Sequence, residues 1–383
     1  MQHIAARKVR ERGFSLIVSD RNPQAVCRQL ADVFLEMDTF DVPAHLAACE
    51  EIKQNFNVRA VITTAADCHY TVSRVASHLN LHFLSPSVSQ VCRNKAMTRE
   101  LLAAGGLYQP ASHVVQTYSE ALAILEESDT AIVVKASDNS GSRGFSVIPL
   151  GGKLTKEQFE YTRGMGTTGG VILEEKLEAD TNQISEASVE TLWHEGKMYW
   201  INWVDRIFPR DLKFFPDLTI KSTPSEAIEV GHINPARHVY RVKHQVESDI
   251  EKAGRAIGMH MEKGGHILKA DIFFSTKGPV ILELTPRTSG GWDSSASSPA
   301  RGADIAGGVI HLALGLPMDL DAWYRYFYYH DAERTAVVLT SIPEGAVDCT
   351  GRQFAMVSGY ESVSKLIEAA TQKIGKGEYI VPV

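Results

Sequence analysis

Lys269-Ala270-Asp271-Ile272-Phe273-Phe274 and Val280-Ile281-Leu282-Glu283-Leu284-Thr285-Pro286-Arg287 flank the turn Ser275-Thr276-Lys277-Gly278-Pro279, and the reading of this stretch decides the fold. Two runs rich in β-branched and aromatic residues around a glycine-proline turn predict an antiparallel hairpin. Pairing Phe274 with Val280 sets Asp271 opposite Glu283 and Lys269 opposite Thr285, and opposed residues share a sheet face. Ile272, Phe274, Val280, Leu282 and Leu284 then form an apolar set on the other face, which belongs in a core. Two carboxylates side by side repel unless a cation lies between them, and hard oxygen ligands suit Mg2+. A solvated acidic pair is the competing reading.

Working outward toward the N-terminus, Val133-Val134-Lys135-Ala136 is an apolar strand carrying a lysine, followed by Ser140-Gly141-Ser142-Arg143-Gly144 and a second strand from Ser146. Glycines let the backbone approach a ligand, and Lys135 and Arg143 supply positive charge for phosphate oxygens. An ordinary hairpin connection explains the loop equally well. The lysine precedes the glycines, so the Walker pattern G-x-x-x-x-G-K-[ST] is absent.

The remaining pattern predicts an α/β region followed by an α+β region. Strands are expected at 14–19, Val33 to Glu36 and Arg59 to Thr63, with helices at Gln2 to Arg12, Asn22 to Ala31, Pro43 to Phe56 and Asp67 to Leu79. An open nucleotide-type α/β fold begins with a strand and a glycine-rich turn, which this chain lacks; a late start of the chain, or a lost strand, is expected. One helix is predicted from Ser87 to Ala104, ended by Gly105-Gly106 and Pro110. Further strands are expected at Gly170 to Glu174, Ile184 to Trp193 and Met198 to Asp205, with helices at Thr155 to Tyr161 and Gln245 to Ala256. The tail reads as a strand from Thr335, a helix from Ser362 to Lys373 and a last strand, EYIVPV.

Composition limits the classes. A chain of 383 residues suits two or three domains. No stretch approaches the roughly 20 apolar residues of a membrane span, and the N-terminal residues carry no secretory signal, so a cytoplasmic protein is expected. The five cysteines are scattered without a C-x-x-C pair, which argues against a zinc or dithiol site. A net charge of -7 argues against a nucleic-acid binder.

Taken in order, N-K-x-x-T-R-E-L-L at 94–102, V-V-K-A-S-D-N-S-G-S-R-G at 133–144, V-I-L-E-E-K-L at 171–177, A-D-I-F-F at 270–274 and V-I-L-E-L-T-P-R at 280–287 resemble the ATP-grasp superfamily. The branch is that of biotin carboxylase, carbamoyl-phosphate synthetase and the amino-acid ligases. The resemblance implies a Rossmann-like preATP-grasp domain at 1–86, lacking its first strand, and an ATP-grasp domain at 87–325. The latter divides into a lid at about 110–175 and an ATP- and Mg-binding part at about 176–325, and a small α/β module follows at 326–383. It also implies ATP and Mg2+ as cofactors, with Mn2+ as a substitute metal.

By the same resemblance, Lys95 and Lys135 contact ATP phosphates, Ser140, Gly141, Ser142, Arg143 and Gly144 form the lid loop, and Glu174, Glu175, Lys176 and Leu177 hold adenine. Glu190 brings an acidic group into the site. Asp271 and Glu283 are metal ligands, and Arg287 is the cation for the transferred phosphoryl group. The family pattern is E-x-N-P-R, and Thr285 stands here in place of the asparagine, so the third metal position is the weakest. Asp205-Arg206, Gly231-His232 and Pro235 resemble segments near the acceptor pocket, where His232 reads equally as a structural histidine. The loop 288–300 with Trp292 shapes a pocket or lies on the surface.

The chemistry implied is ADP-forming ligation through an acyl phosphate, joining a small carboxylate to an amine or thiol, without nucleic acid or membrane and with a homodimer as one option. A bicarbonate-activating carboxylase, a phosphotransferase and a non-catalytic ATP-binding regulator are the alternatives.

Overall fold

The structure, a computed structural model, describes residues 2–138, 144–216, 218, 228–238, 240–342 and 351–380. Helix α1 (Gln2–Glu11) leads into a two-stranded parallel sheet of β1 (Ile17–Asp20) and β2 (Val33–Glu36). Helix α2 (Val42–Asn55) starts where Asp41 accepts the Ala44 amide and a proline occupies the first turn, a sequence-encoded N-terminus. Helix α3 (His69–His78) follows. The strand expected at Arg59 to Thr63 does not form: no neighbouring strand among the described residues offers it a ladder, and an unladdered segment is not a strand. The helix expected at Asn22 to Ala31 is a short 3-10 turn, Val26–Leu30.

The single helix expected at Ser87 to Ala104 is two, α4 (Pro86–Arg93) and α5 (Lys95–Ala104). Asn94 between them has extended backbone, and its side chain accepts the amides of Ala96 and Met97, so it stops one helix and caps the next. That cap places Lys95 and Arg99 one turn apart on a single face of α5.

Four strands form a small sheet in the order β3-β6-β4-β5, from β3 (Ser112–Val115), β4 (Ile132–Ala136), β5 (Ser146–Ile148) and β6 (Val171–Glu175). Helices α6 (Tyr118–Glu127) and α7 (Lys156–Gly164), each opened by a capping box, cover one face. Val134, Ile148, Phe159, Val171 and Leu173 pack there into a core of their own. The opposite face carries Val133, Lys135 and Val147.

Seven strands make the large sheet, β11-β10-β7-β8-β9-β12-β13. They are β7 (Glu186–His194), β8 (Lys197–Ile207), β9 (Gly231–Asn234), β10 (Gly265–Ser275), β11 (Gly278–Thr285), β12 (Thr335–Ser341) and β13 (Gln353–Gly359). Alternation along β7 and β10 sends Val189, Trp193, Leu268, Ile272 and Phe274 to one face, where α8 (Tyr240–Ala256) lays Val246, Ile250 and Ala253 over them. Each such side chain contributes roughly 1.5–3 kcal/mol on burial. Gly254 is required at this contact, since a Cβ there would lie 2.1 Å from the Trp193 ring. On the opposite face, Leu192 and Ile267 pack under helices Ile305–Ala313 and Leu320–Tyr326 at one end. The other end of that face stays open.

In the C-terminal region β12 and β13 extend the large sheet before helix Val363–Lys376, so the second strand precedes the helix. The final strand expected at 378–383 is not present at 378–380, where the Ile380 amide donates to the Phe354 carbonyl but no ladder forms; residues 381–383 lie outside the described ones. No helix among the described residues is long and apolar enough to cross a membrane.

Candidate functional site

A cleft of about 370 Å³ separates the open face of the large sheet from the small sheet. Hairpin β10–β11 forms its floor. Asp271 pairs with Glu283 and Lys269 with Thr285, as the sequence pattern requires, but Ile272 pairs with Ile281 and Phe274 with Pro279. A bulge at Leu282 accounts for the shift. It reverses the alternation, so Ile281 joins the core while Leu282 turns to the cleft beside Glu283. Leu282, and Val280 which now pairs with Phe273, therefore leave the apolar core set in which the uninterrupted pairing had placed them.

The carboxylates on this floor do not simply repel, because protein cations meet them. Lys269 Nζ donates to Asp271 Oδ2 at 2.7 Å, Arg206 lies 3.3 Å from the same oxygen, and Lys95 Nζ lies 3.4 Å from Glu283. Burial raises the Asp271 carboxyl, and Lys269 with Arg206 more than reverse that, leaving it below its usual range. Asp271 Oδ1 and Thr285 Oγ1 are buried without a hydrogen-bond partner. Such atoms carry an unmet cost unless something binds them. Thr285 is buried beside the floor and is not among the cleft-lining residues. No three His, Cys, Asp or Glu side chains among the described residues converge to hold a metal alone.

At the roof, Lys135 on β4 reaches Glu174 on β6 at 2.6 Å. Arg99 grips the same carboxylate at 3.0 and 3.4 Å. Burial raises Glu174, but Lys135 and Arg99 outweigh it and hold the group at about 2. Both oxygens of Glu174 are thus engaged by cations. Glu175, Lys176 and Leu177 line the cleft with Val133, Phe145 and Val147. Gly144 has φ +69°, and its carbonyl accepts from Thr162 Oγ1. Ser140, Gly141, Ser142 and Arg143 lie outside the described residues.

Arg287 lies against the N-terminal region, donating to Asp67 Oδ1 through Nε and NH2 at 2.8 and 2.5 Å and to the Thr288 carbonyl at 2.7 Å. Asp67 itself lines the cleft. Glu190 does not: it is buried beneath the loop after Thr288, accepting from the Ser289 amide at 2.7 Å and Ser294 Oγ at 2.6 Å. Glu186, four residues earlier on the same face of β7, reaches the cleft instead. Burial pushes Glu186 up to about 7, against Arg206 and Arg210.

Beyond the hairpin, Arg206 joins Glu229 (3.0 Å) and Glu186 (3.3 Å), and His232 and Asp293 line the same end. His232 Nε2 lies 3.1 Å from Ser297 Oγ. Asp205, next to Arg206, faces away and is held by the Arg237 amide at 2.8 Å. Sequence reasoning missed Arg99, Lys269, Glu186 and Asp293. Strand pairing had set Lys269 on the face of Asp271 and Glu283 without giving it a role, whereas the others are brought in by separate elements.

No family model matches the sequence. A curated relative from Sinorhizobium fredii, an uncharacterized protein y4rH, is 23% identical over 348 residues, covering 90% of this chain and 66% of its own length. This chain thus spans slightly under two thirds of that relative. Among solved structures, an L-amino acid ligase from Bacillus licheniformis superposes with a TM-score of 0.71 at 18% identity, over 97% of this chain and 93% of the other. A phosphoribosylglycinamide synthetase from Anaerococcus prevotii gives 0.61 at 16% identity, over 90% and 79%. The biotin carboxylase domain of a 2-oxoglutarate carboxylase from Hydrogenobacter thermophilus, solved with MgADP and bicarbonate, gives 0.60 at 14% identity, over 88% and 71%. With a nucleotide-sized cleft between a small and a large sheet, and these likenesses along nearly the whole length, the chain has the ATP-grasp fold.

Proposed function

We propose that the chain is a Mg·ATP-dependent ligase that activates a carboxylate as its acyl phosphate and transfers the acyl group to an amine or other nucleophile. The observation that carries this is the floor of the cleft. Two opposed carboxylates, with a buried Asp271 oxygen lacking a donor, lie beneath the two lysines Lys95 and Lys135. The oxygens of Asp271 and Glu283 fit a hard divalent cation that completes its shell with phosphate and water, with Thr285 adjoining. When bound, such an ion neutralises charge on the phosphates. The division into domains at 86 and 325 belongs to the same proposal.

In this reading Val133, Phe145, Val147 and Leu282 bracket the base, and the segment Glu175 to Leu177 offers its polar edge. Lys95 and Lys135 face the phosphates. A substrate carboxylate oxygen forms a bond to the γ-phosphorus as the β–γ bridging bond breaks and ADP leaves. Arg287 and Lys269 lie where charge develops on the phosphoryl oxygens, and Asp67 holds Arg287 in place. The nucleophile then adds to the acyl carbon and phosphate departs. The far end, with Arg206, Glu229 and His232, receives the carboxylate and its acceptor.

Mg·ATP is expected to raise the melting temperature well beyond ATP with chelator, and Asp271→Asn or Glu283→Gln to abolish that increment. Either amide variant should lower ADP formation by roughly 10²–10³-fold, the range for removing one electrostatic contact to a transition state. Hydroxylamine should trap an acyl hydroxamate in wild type when a stimulating carboxylate is present. Normal turnover in both variants would sink the proposal, and ADP release with no hydroxamate from any stimulating substrate would replace it by phosphotransfer.

A further inference from the structure

Helix α5 carries Lys95 and Arg99 on one face, and the two cations touch both walls of the cleft. Lys95 reaches Glu283 on the floor, and its amide donates to the Ser137 carbonyl at the end of β4 at 2.9 Å. Arg99, only 3% exposed, uses its whole fork. Nε and NH2 hold Glu174 on β6, while NH1 donates to Gln109 Oε1 and to the Ile281 carbonyl, both at 2.7 Å. Ile281 is the residue just before the bulge that turns Leu282 and Glu283 into the cleft. One guanidinium therefore bonds the small sheet, the segment leading into it and the strand that presents a floor carboxylate.

We propose that Arg99 is a positioning residue that couples the placement of the Lys135–Glu174 pair in the small sheet to the bulge presenting Glu283 in the large sheet. The coupling bears on nucleotide binding only if the cleft holds Mg·ATP, so that consequence rests on the function proposed above. The geometry favours arginine for a physical reason. A planar fork with five donors satisfies a carboxylate and two carbonyl-type oxygens at once, which a lysine ammonium at the same depth cannot do with the same directions. A guanidinium serving Glu174 alone would need no bond to Ile281.

Hydrogen exchange without nucleotide tests the coupling itself. In Arg99→Met, amides of β6 (Val171–Glu175) and of β11 (Gly278–Thr285) should both exchange about tenfold faster or more, while helix Val363–Lys376 keeps its protection. Arg99→Lys should restore β6 and leave β11 loosened. Faster exchange in β6 alone, or full restoration of both strands by lysine, overturns the proposal. Should Arg99→Met fail to fold, Gln109→Leu, which removes one anchor of NH1, is expected to loosen both strands and is read the same way.

Binding of Mg·ATP is then measured in Arg99→Met, Glu283→Gln and the double variant. Arg99→Met should weaken it about tenfold or more, and the two changes together should cost less than their sum. Strict additivity counts against the coupling. Wild type that binds no Mg·ATP would overturn the ligase reading instead, and the exchange result would still decide the role of Arg99.

Discussion

Two buried groups of carboxylates flank the cleft, and they are satisfied in opposite ways. Toward the small sheet, Glu174 faces Lys135 and Arg99, and Asp271 faces Lys269 and Arg206. Beneath the loop after Thr288, Glu190 and Asp293 are met by neutral donors. Asn202 Nδ2 lies 3.5 Å from Glu190 and 3.0 Å from Asp293, and Ser289, Ser294, Ser297, Ser298 and Asn234 supply the rest. Burial raises all four, yet cations leave Glu174 and Asp271 below the usual range; at the other end burial, with the charge of Asp293 beside Glu190, outweighs the hydroxyls and amides, leaving Glu190 at about 7 and Asp293 raised. The same residue types at similar depth are thus shifted downward at one end and upward at the other. In these two groups the charge of the donors decides whether burial is reversed, although Glu186, raised to about 7 against Arg206 and Arg210, shows that cations do not reverse it everywhere.

The largest effect should come from breaking the ionised end. Glu174→Gln leaves Lys135 and Arg99 buried without an anion, and stability at pH 7 should fall by about 3–5 kcal/mol in urea unfolding. The acid dependence follows from the depressed carboxyl. Its contribution is present above the unfolded value near 4.5 and is lost as pH falls toward about 2, and the variant should lack that loss. Asp293→Asn, which leaves only neutral donors without their carboxylate partner, should cost far less. Equal losses for the two variants would mean that both ends are ionised and the contrast is false.

A second, smaller effect has the opposite sign with pH. Glu190 is raised to about 7, so its contribution is complete below about 4.5 and disappears as pH rises through about 7. Glu190→Gln removes that dependence. Measured by urea unfolding, the variant should gain of order 1–3 kcal/mol on wild type between pH 5 and pH 8. Parallel stability curves for the two proteins would place an ionised Glu190 in the folded state.

How far the two ends were legible in the sequence follows from how each is built. The ionised end rests on a hairpin, and the alternation of Lys269, Asp271 and Glu283 follows from a period of two and a marked turn. Even there the bulge at Leu282 was invisible, since nothing in the run Val280 to Leu284 distinguishes a bulged strand from a straight one. Arg99 was quoted within a helix motif, but its role depends on the Asn94 cap that rotates α5 toward two sheets, a tertiary fact. The neutral end joins Glu190 on β7 to Asp293 over a separation of a hundred residues. Asp293 begins a short π-helical turn after Trp292, whose φ is +72°, and serine-rich small residues give no period from which to infer it. The N-terminal region went wrong at Arg59 to Thr63 because strand propensity is local whereas a strand requires a neighbour.

The smallest effect tests the neutral end one donor at a time. Ser294 Oγ donates to Glu190 Oε1 at 2.6 Å, and the Ser289 amide donates to the same oxygen at 2.7 Å. Ser294→Ala removes the hydroxyl and leaves the amide, so the carboxyl group stays partly satisfied. With Glu190 protonated at pH 5 the lost bond is one between neutral groups, costing about 1 kcal/mol; with Glu190 ionised at pH 8 it is charge-assisted and costs about 2 kcal/mol. Because the hydroxyl favours the charged form, its removal should also move the Glu190 titration upward, so wild type and variant diverge between pH 5 and pH 8. Urea unfolding at both pH values reads the difference, and the same measurement on Ser294→Ala in a Glu190→Gln background should show no pH dependence. If the serine costs the same at pH 5 and pH 8 in wild type, Glu190 does not change charge across that range, and the two ends of the cleft differ in their donors but not in their protons.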